Sequence, residues 1–409
     1  MRSGGAAIGR RALLASGLAC LVPGAQAGTA PAAAQQALPA AVRQQLVPDM
    51  PTLERALREA RPGDHLVLAP GHWALGTIAV SGTETAPIVI RALEPRRATL
   101  ADDPVISGDH IRLHGLAFGP HSLGRIEGAD CWIVGCSFLG PAADSIRIRP
   151  RAPGCRVWFC EMTGQGRMIA FDTGGRGIQG HVKGCWFHDV APGGDNATEV
   201  ITVGFSANRT AVVSDTLIED CLFEDCNLDG QEDETIAIKS SHVTVRRCTF
   251  RRTRYLQVRH GTHNRIEEVT VLDSPTGGIS IFDADNHVIN CRVGNGVMHV
   301  RAGDRLTAAA GGDWPASAPG FPAAFQTHVY NGEFDDFRIG SFFRSGAATH
   351  CAHGTVVLGN RGGPPHYGHG SGACDTATND PSLHAAPAPV PYRAPALLTT
   401  AEVGPRAAR

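Results

Sequence analysis

An acidic segment closely followed by a lysine is the part of this sequence best equipped for acid–base catalysis. In EDETIAIKSS (232–241), Lys239 follows Glu232 by seven residues and Glu234 by five. Lysine is rare here, because Lys183 and Lys239 are the only two in 409 residues, against 35 arginines. A lysine acts as a general base near neutral pH when its pKa is lowered, and neighbouring cations lower it. Lys239 is therefore the candidate base.

Two residues that are distant in sequence come close to Lys239 if the chain folds in regular coils. Arg259, in RYLQVRHG, follows Lys239 by 20 residues, and Asn196, in GGDNATEVITVG, precedes Glu232 by 36. With one coil per interval, Arg259 stacks beside Lys239, and Asn196 joins Glu232 and Glu234 in a cluster of oxygen atoms. Two carboxylates and an amide oxygen suit Ca²⁺. We therefore predict a calcium site beside two cationic side chains.

Strand alternation also bears on this segment. In TIAIKSS, Ile236 and Ile238 are predicted to point inward and Lys239 outward. Strict alternation would place Glu232 and Glu234 on the isoleucine side, where bare charges cannot be buried. A turn near Glu234, with or without a bulge, must therefore redirect both side chains.

These groups together suit β-elimination on a polymer of uronic acids. A bound metal ion would neutralise the sugar carboxylate and stabilise the negative charge that develops on it. Lys239 would take the C5 proton, while Arg259 would stabilise the leaving glycosidic oxygen or supply its proton. We expect Arg254, Tyr255 and His260 to contact the substrate, an anionic polysaccharide.

A repeat supplies the elements that would position these residues. The segments IVGCSF, VWFCEM, VKGCWF, IEDCLF, VRRCTF, IEEVTV and VINCRV share one pattern. Aligned, they place the following residues at one position, 21 to 36 residues apart: Cys136, Cys160, Cys185, Cys221, Cys248, Val269 and Cys291. LHGLAF extends the series back to Leu116. One short strand per repeat is typical of a solenoid, and helical periodicity is lacking. We predict an all-β fold, a right-handed parallel β-helix.

The segment before the repeats predicts a capping helix. PTLERALREARPGD places Leu53, Ala56, Leu57 and Ala60 on one helical face, and Pro62-Gly63 would end the helix. An open β-helix end exposes strand edges and core, which such a helix covers.

The ladder also accounts for most of the cysteines. Stacked in the core, they would behave as small reduced hydrophobes. A disulfide is expected only outside the ladder, between Cys351 and Cys374.

Residues 1–27 have the features of an export signal: Arg2, the pair Arg10-Arg11, an apolar core and a small-x-small end at AQA. Both an ordinary secretory and a twin-arginine signal are consistent with them, so we expect a periplasmic or secreted protein. Residues 28–300 are predicted to hold the cap and the catalytic β-helix. Residues 301–409 would add late coils, loops and a Pro/Ala-rich tail of the same domain.

Composition narrows the possible partners. The formal net charge is −2, which argues against nucleic acid. After the N-terminus no apolar stretch reaches the roughly 18 residues of a membrane helix, so no membrane span is predicted. We expect a monomer.

The motifs resemble one enzyme family. ETIAIKSS followed by RHG, and preceded by N-x-x-E-V-I-T-V-G, is similar to polysaccharide lyase family 6, which contains alginate lyases and dermatan sulfate lyases of the chondroitinase B type. The resemblance implies a parallel β-helix and Ca²⁺ held by Asn196, Glu232 and Glu234. It also implies Lys239 as base and Arg259 as acid. It favours alginate as substrate. A dermatan sulfate lyase and a non-catalytic β-helix that binds polysaccharide are the alternatives.

Some features depart from the family or stay open. Thr202 and Ser280 stand where many members carry basic side chains. The arginine-rich RRCTFRRTR (246–254) is either a solvated edge or a basic strip that binds a polyanion. A β-helix glycoside hydrolase would need two acids that flank the bond. Asp283 and Asp285 are the only alternating acid pair on a late coil, but they lack a nearby paired set.

Overall fold

We describe the protein from a computed structural model. The described residues are 38–141, 146–172, 177–192, 199–204, 213–228, 234–303, 323–340, 352, 354–368 and 388–407. The predicted export signal (1–27), Cys351 and Cys374 lie outside them. No helix in the described ranges is long and apolar enough to cross a membrane.

Short strands account for nearly all of the regular structure. Helix α1 spans Met50–Glu59 and helix α2 spans Gly404–Ala407. The strands, in chain order, are β1 (Arg43–Val47), β2 (Asp64–Leu68), β3 (Gly71–Trp73), β4 (Thr77–Ile78), β5 (Ile88–Ala92), β6 (Ala98–Leu100), β7 (Val105–Ile106), β8 (Ile111–His114), β9 (Leu123–Ile126), β10 (Trp132–Val134), β11 (Ser137–Phe138), β12 (Ile146–Pro150), β13 (Arg156–Trp158), β14 (Glu161–Gln165), β15 (Arg167–Phe171), β16 (His181–Lys183), β17 (Trp186–Ala191), β18 (Ile201–Val203), β19 (Leu217–Glu219), β20 (Leu222–Cys226), β21 (Glu234–Lys239), β22 (Thr244–Arg246), β23 (Thr249–Thr253), β24 (Tyr255–His260), β25 (Arg265–Glu267), β26 (Thr270–Leu272), β27 (Gly278–Ile281), β28 (His287–Ile289), β29 (Arg292–Arg301), β30 (His328–Tyr330), β31 (Glu333–Gly340), β32 (Val356–Leu358) and β33 (His366–Gly368).

The strands stack as the coils of a parallel solenoid. One sheet has 13 strands in the order β1-β2-β5-β8-β10-β13-β16-β19-β22-β25-β28-β30-β32, and an 18-stranded sheet carries the other strands except the pair β3-β6. Neighbours in these sheets pair in parallel and come from successive coils, as β15, β18, β21 and β24 do. The predicted parallel β-helix is thus confirmed.

The predicted ladder forms the core. The backbone N–H that follows each ladder residue donates to the carbonyl of the ladder residue one coil earlier, from Leu116 through to Val269. The nine described cysteines are buried free thiols. Burial raises the pKa of Cys160 and Cys221 well above the usual thiol value, so these thiols stay protonated and pack as hydrophobes.

Aromatic rings stack with the period of the coils. The ring centroids of Phe187 and Phe223 are 4.7 Å apart, and those of Phe223 and Phe250 are 4.5 Å apart. These distances match the spacing between paired strands, about 4.8 Å. The core therefore repeats one contact from coil to coil, and this keeps the coils in register.

Helix α1 covers the first coils, as its apolar face predicted. Asp49 caps it by accepting the N–H of Thr52 at 2.9 Å. Leu53 and Ala56 are buried in the main core, and Leu57 packs against it from the edge.

Residues 388–407 run along the outside of the solenoid. Asn331 Nδ2 donates to the carbonyl of Val390 at 2.9 Å, and the N–H of Leu398 donates to Thr249 Oγ1 at 2.9 Å. These contacts tie the C-terminal segment to coils that are far apart in sequence.

Candidate active site

Strands β21 and β24 carry most of the predicted site residues. Glu234 and Lys239 are the ends of β21, while Tyr255, Arg259 and His260 lie on β24. The two strands are parallel neighbours, so the structure brings these residues together on consecutive coils.

A bulge near the start of β21 redirects Glu234. Glu234 pairs with Tyr255 and Ile236 pairs with Leu256, so β21 has one extra residue between them. The re-aiming predicted for Glu234 is confirmed. Its buried carboxylate oxygen Oε1 accepts from Gln257 Nε2 and lies 3.4 Å from Arg259 Nη1.

A second irregularity corrects the predicted partner of Lys239. Ile238 pairs with Val258, but Lys239 pairs with His260. Arg259 is therefore the extra residue on β24, and the prediction that it stacks directly beside Lys239 was wrong. The Arg259 side chain instead makes an ion pair with Glu234.

Lys239 is anchored by a carboxylate that the sequence reasoning missed. Its Nζ donates to Glu199 Oε1 at 2.8 Å, and Arg167 Nε donates to Glu199 Oε2 at 2.7 Å. The Glu199 side chain is 0% exposed and that of Lys239 is 6% exposed. Burial raises the pKa of Glu199, but the charges of Lys239 and Arg167 outweigh it and leave the pKa below its usual value. The available signal was the glutamate of the N-x-x-E motif, which is Glu199.

The turn after β24 requires glycine. Gly261 has φ +101°, and a Cβ there would lie 2.1 Å from the carbonyl oxygen of Ser240. Its N–H donates to Asp283 Oδ2 at 2.8 Å, and Asp283 Oδ1 accepts the N–H of Ala284 at 3.0 Å. Asp283 therefore holds Gly261 at the start of the turn after β24. Because both oxygens of its carboxylate accept backbone N–H groups, Asp283 is disfavoured as one of the two catalytic acids of a glycoside hydrolase.

Arg301, on the coil after Ser280, brings a cation next to this uncharged side chain. Arg301 Nε donates to Ser280 Oγ at 2.8 Å. The Arg301 guanidinium carbon lies 5.0 Å from the centre of the Tyr255 ring and 5.7 Å from that of Phe282, within the range of cation–π contacts. Arg301 is thus a second residue that sequence reasoning missed.

Most arginines of the segment 246–254 are engaged with acids one coil earlier. The ion pairs are Arg246–Glu219 at 2.8 Å, Arg247–Asp220 at 2.7 Å, Arg251–Glu224 at 3.6 Å and Arg252–Asp225 at 2.6 Å. This pairing favours the solvated edge over the polyanion-binding strip. Arg254 directly precedes β24, and its backbone N–H donates to Thr235 Oγ1 on β21 at 2.9 Å.

Asn196 and Glu232 lie outside the described residues. Of the three predicted calcium ligands, only Glu234 therefore has a described position. Across the described ranges, no group of three or more His, Cys, Asp and Glu side chains is arranged to hold a metal ion. The calcium site stays a prediction.

Comparison with known proteins finds similarity in structure alone. No protein-family model and no curated protein sequence matches the chain. A mannuronic acid-specific polysaccharide lyase of family 6 from the human gut microbiota superposes with a TM-score of 0.61 and 20% identity, covering 80% of this chain and 82% of that one. A family 6 polysaccharide lyase from Pseudopedobacter saltans gives 0.64 and 15%, covering 88% and 99%.

The family 6 alginate lyase AlyGC gives a TM-score of 0.63 at 17% identity, over 78% of this chain and 49% of that enzyme. The chain thus spans about half of AlyGC. The resemblance that the ETIAIKSS and RHG motifs predicted is confirmed in three dimensions. The chain has the parallel β-helix fold of the polysaccharide lyases of family 6.

Proposed function

We propose that this protein is a polysaccharide lyase that cleaves alginate by β-elimination. One observation carries the proposal: Lys239, His260, Arg259 and Glu234 converge on two neighbouring coils of a fold that solved alginate lyases share. Each residue alone has an ordinary structural explanation. Their convergence, in a chain with only one other lysine, favours catalysis.

The proposed step breaks the C5–H and C4–O bonds and forms an N–H bond on Lys239, a C4=C5 double bond and an O–H bond on the leaving oxygen. Lys239 Nζ takes the proton from C5 of a uronate, the C4–O glycosidic bond breaks, and a C4=C5 double bond forms. The leaving oxygen takes a proton from solvent water and becomes the hydroxyl group of the new chain end. Arg259 supports the charge on that oxygen, since its guanidinium stays protonated. His260, which pairs with Lys239 between strands β21 and β24, and Tyr255 would contact the sugar.

The proposal includes Ca²⁺ held by Asn196, Glu232 and Glu234. Carboxylate and amide oxygens are the donors that this cation prefers. When bound, the ion would neutralise the substrate carboxylate and make the C5 proton more acidic. Arg259, whose Nη1 lies 3.4 Å from Glu234 Oε1, would add a protein cation beside that carboxylate.

Charge favours alginate over dermatan sulfate. Dermatan sulfate carries a sulfate besides each carboxylate, and holding both demands additional cations. Thr202 and Ser280 are not basic, and most arginines of segment 246–254 are paired with acids. Arg301 lies beside Ser280 and Arg259 beside Glu234, so the later coils do contribute cations for the carboxylates of alginate. The solved relatives named for mannuronic acid and alginate agree with this choice.

The test is product formation from a panel of alginate blocks, dermatan sulfate and pectate at matched ionic strength, followed by ultraviolet absorbance of the unsaturated sugar. We expect the fastest reaction with an alginate block. Binding without product would support the non-catalytic alternative, and faster cleavage of dermatan sulfate would overturn the substrate assignment.

The same assay tests the metal. Excess chelator should remove most activity and added Ca²⁺ should restore it, while Glu234→Gln should stay inactive in both conditions. Full activity in chelator would contradict the calcium site and leave charge neutralisation to arginine.

A further inference from the structure

A fully buried carboxylate without a role in the proposed reaction joins three successive coils. Arg167 begins β15, Glu199 stands two residues before β18, and Lys239 ends β21. These strands are direct neighbours in the sheet. The contacts among the three side chains therefore cross two coil boundaries and end at Lys239, a residue of the candidate active site.

The contacts use both oxygens of Glu199. Oε1 accepts from Lys239 Nζ at 2.8 Å. Oε2 accepts from Arg167 Nε at 2.7 Å and lies 2.7 Å from Nη2 of the same guanidinium. A guanidinium that engages a carboxylate through two nitrogens is held in a defined orientation. The contacts with Arg167 alone therefore fix the position of the Glu199 carboxylate.

The charges explain why two residues are needed. A lone buried carboxylate would hold the lysine proton firmly, because the charged pair is favoured in a medium of low polarity. Arg167 offsets the charge of Glu199, so Lys239 is anchored to a pair with no net charge. The anchor still restricts a flexible four-carbon side chain that would otherwise sample many rotamers.

We propose that Glu199 and Arg167 are positioning residues for Lys239: Glu199 fixes the direction of Nζ, and Arg167 offsets the charge of Glu199 so that the lysine can release its proton. This rests on the proposed function in so far as Lys239 is the base. On the neighbouring strand β24, His260 pairs with Lys239, and Tyr255 and Arg259 are the other titratable or charged residues. Glu234, at the other end of β21, forms an ion pair with Arg259.

The near absence of lysine makes a direct test possible. Acetylation of amines followed by peptide mass spectrometry reports Lys239 and Lys183 separately, and it needs no substrate. Lys183 is the internal reference, since it is bonded to Glu219 at 3.1 Å and its side chain is 37% exposed. The variants are Glu199→Gln, which keeps the shape, and Arg167→Met.

The two variants should change the rate at which Lys239 is acetylated, in opposite directions. In Glu199→Gln, acetylation of Lys239 relative to Lys183 should rise several-fold, because the lysine loses the carboxylate that favours its charged form. In Arg167→Met the ratio should fall, because Glu199 then faces Lys239 without its offsetting cation. Glu219→Gln is the matched control: it should change the reactivity of Lys183 and leave Lys239 unchanged.

Activity provides the second readout. Both variants should lower kcat on alginate at neutral pH with little change in KM, whereas general loss of structure would lower the melting temperature and the amount of active enzyme. If Glu199→Gln fails to fold, the fall in Lys239 reactivity in Arg167→Met still tests the proposal.

Failure of the two proposals can be told apart. Unchanged Lys239 reactivity in both variants, in an enzyme that cleaves alginate, overturns the positioning role and leaves the lyase in place. Shifted reactivity with no product from any polymer overturns the lyase assignment and, with it, the catalytic purpose of the anchor.

Discussion

Replacing Lys239 by arginine tests the base while keeping its charge. An arginine at this position can still pair with the buried carboxylate of Glu199, so the cation that this carboxylate requires is retained. Its guanidinium cannot act as a base in the accessible pH range. Lys239→Arg should therefore fold normally and bind polymer, yet fail to cleave it.

The size of the loss follows from the role. General acid–base catalysis contributes about 10²- to 10⁴-fold, which corresponds to about 3–5 kcal/mol on the barrier. Lys239→Ala should lose the same activity and also stability, because it removes a charge-assisted hydrogen bond to a buried group, worth about 1.5–3 kcal/mol. Arg167 keeps Glu199 paired in both variants, so neither should unfold the protein.

Initial rates of ultraviolet-absorbing product, with melting temperatures measured alongside, separate these effects. Lys183→Arg is the control for a general need for lysine, since Lys183 lies on the other large sheet, on β16. If Lys239→Arg retained more than about a tenth of the wild-type kcat, the residue would not be the base.

Three further outcomes are expected. Gly261→Ala should lower both the melting temperature and kcat, because its Cβ would lie 2.1 Å from the Ser240 carbonyl and the turn that carries the site must shift; an unchanged kcat would separate the turn from catalysis. Arg301→Ala should raise KM for alginate several-fold, as expected for loss of a charged contact, whereas Arg252→Ala, at an exposed ion pair, should leave KM unchanged. Although burial raises the pKa of Glu219, hydrogen bonds from a histidine and an arginine leave it far below its usual value. Its stabilising effect is therefore full above the unfolded pKa of about 4.3 and is lost as the pH falls below it. Melting temperatures should accordingly drop less between pH 5 and pH 3 in Glu219→Gln than in the wild type.

The fold could be predicted because its core obeys a simple rule. Each coil must place a small or flat apolar side chain above the one before it, so the ladder from Leu116 to Cys291 leaves a repeated letter pattern. The interval varies between coils, yet the ladder holds, because extra residues enter the loops and not the strands. The capping helix was predictable for a similar reason, since one helical face had to be apolar.

The detailed register of the site could not be predicted in the same way. Counting 20 residues from Lys239 to Arg259 assumes two regular strands, but β24 carries an extra residue after Val258. Bulges leave no reliable composition signal, and one inserted residue moves every later side chain to the opposite face. Among the described residues, Arg259 and His260 do lie on the coil next to Lys239, but His260 occupies the position opposite Lys239 that was predicted for Arg259.

Contacts between coils explain what was missed altogether. Glu199 precedes Lys239 by 40 residues and Arg167 precedes Glu199 by 32, intervals that match no constant repeat because loops of different lengths intervene. A sequence motif records residues of one coil, whereas a side chain such as Arg301 reaches across to Ser280 on the coil before it. The partner of a charged residue in a solenoid is thus a property of the stack.

This geometry gives such a fold a particular way to change its substrate. Adjacent coils are about 4.8 Å apart, so a long side chain can occupy the position above its own strand or that above the next. Ser280 lacks a charge, but Arg301 supplies one there from the following coil, with its guanidinium close to the rings of Tyr255 and Phe282. Loss of a cation on one coil can therefore be compensated by a neighbour without moving the backbone. Binding residues could thus vary between coils, while Lys239, which as the proposed base must meet one proton at one point, is bonded to the buried Glu199.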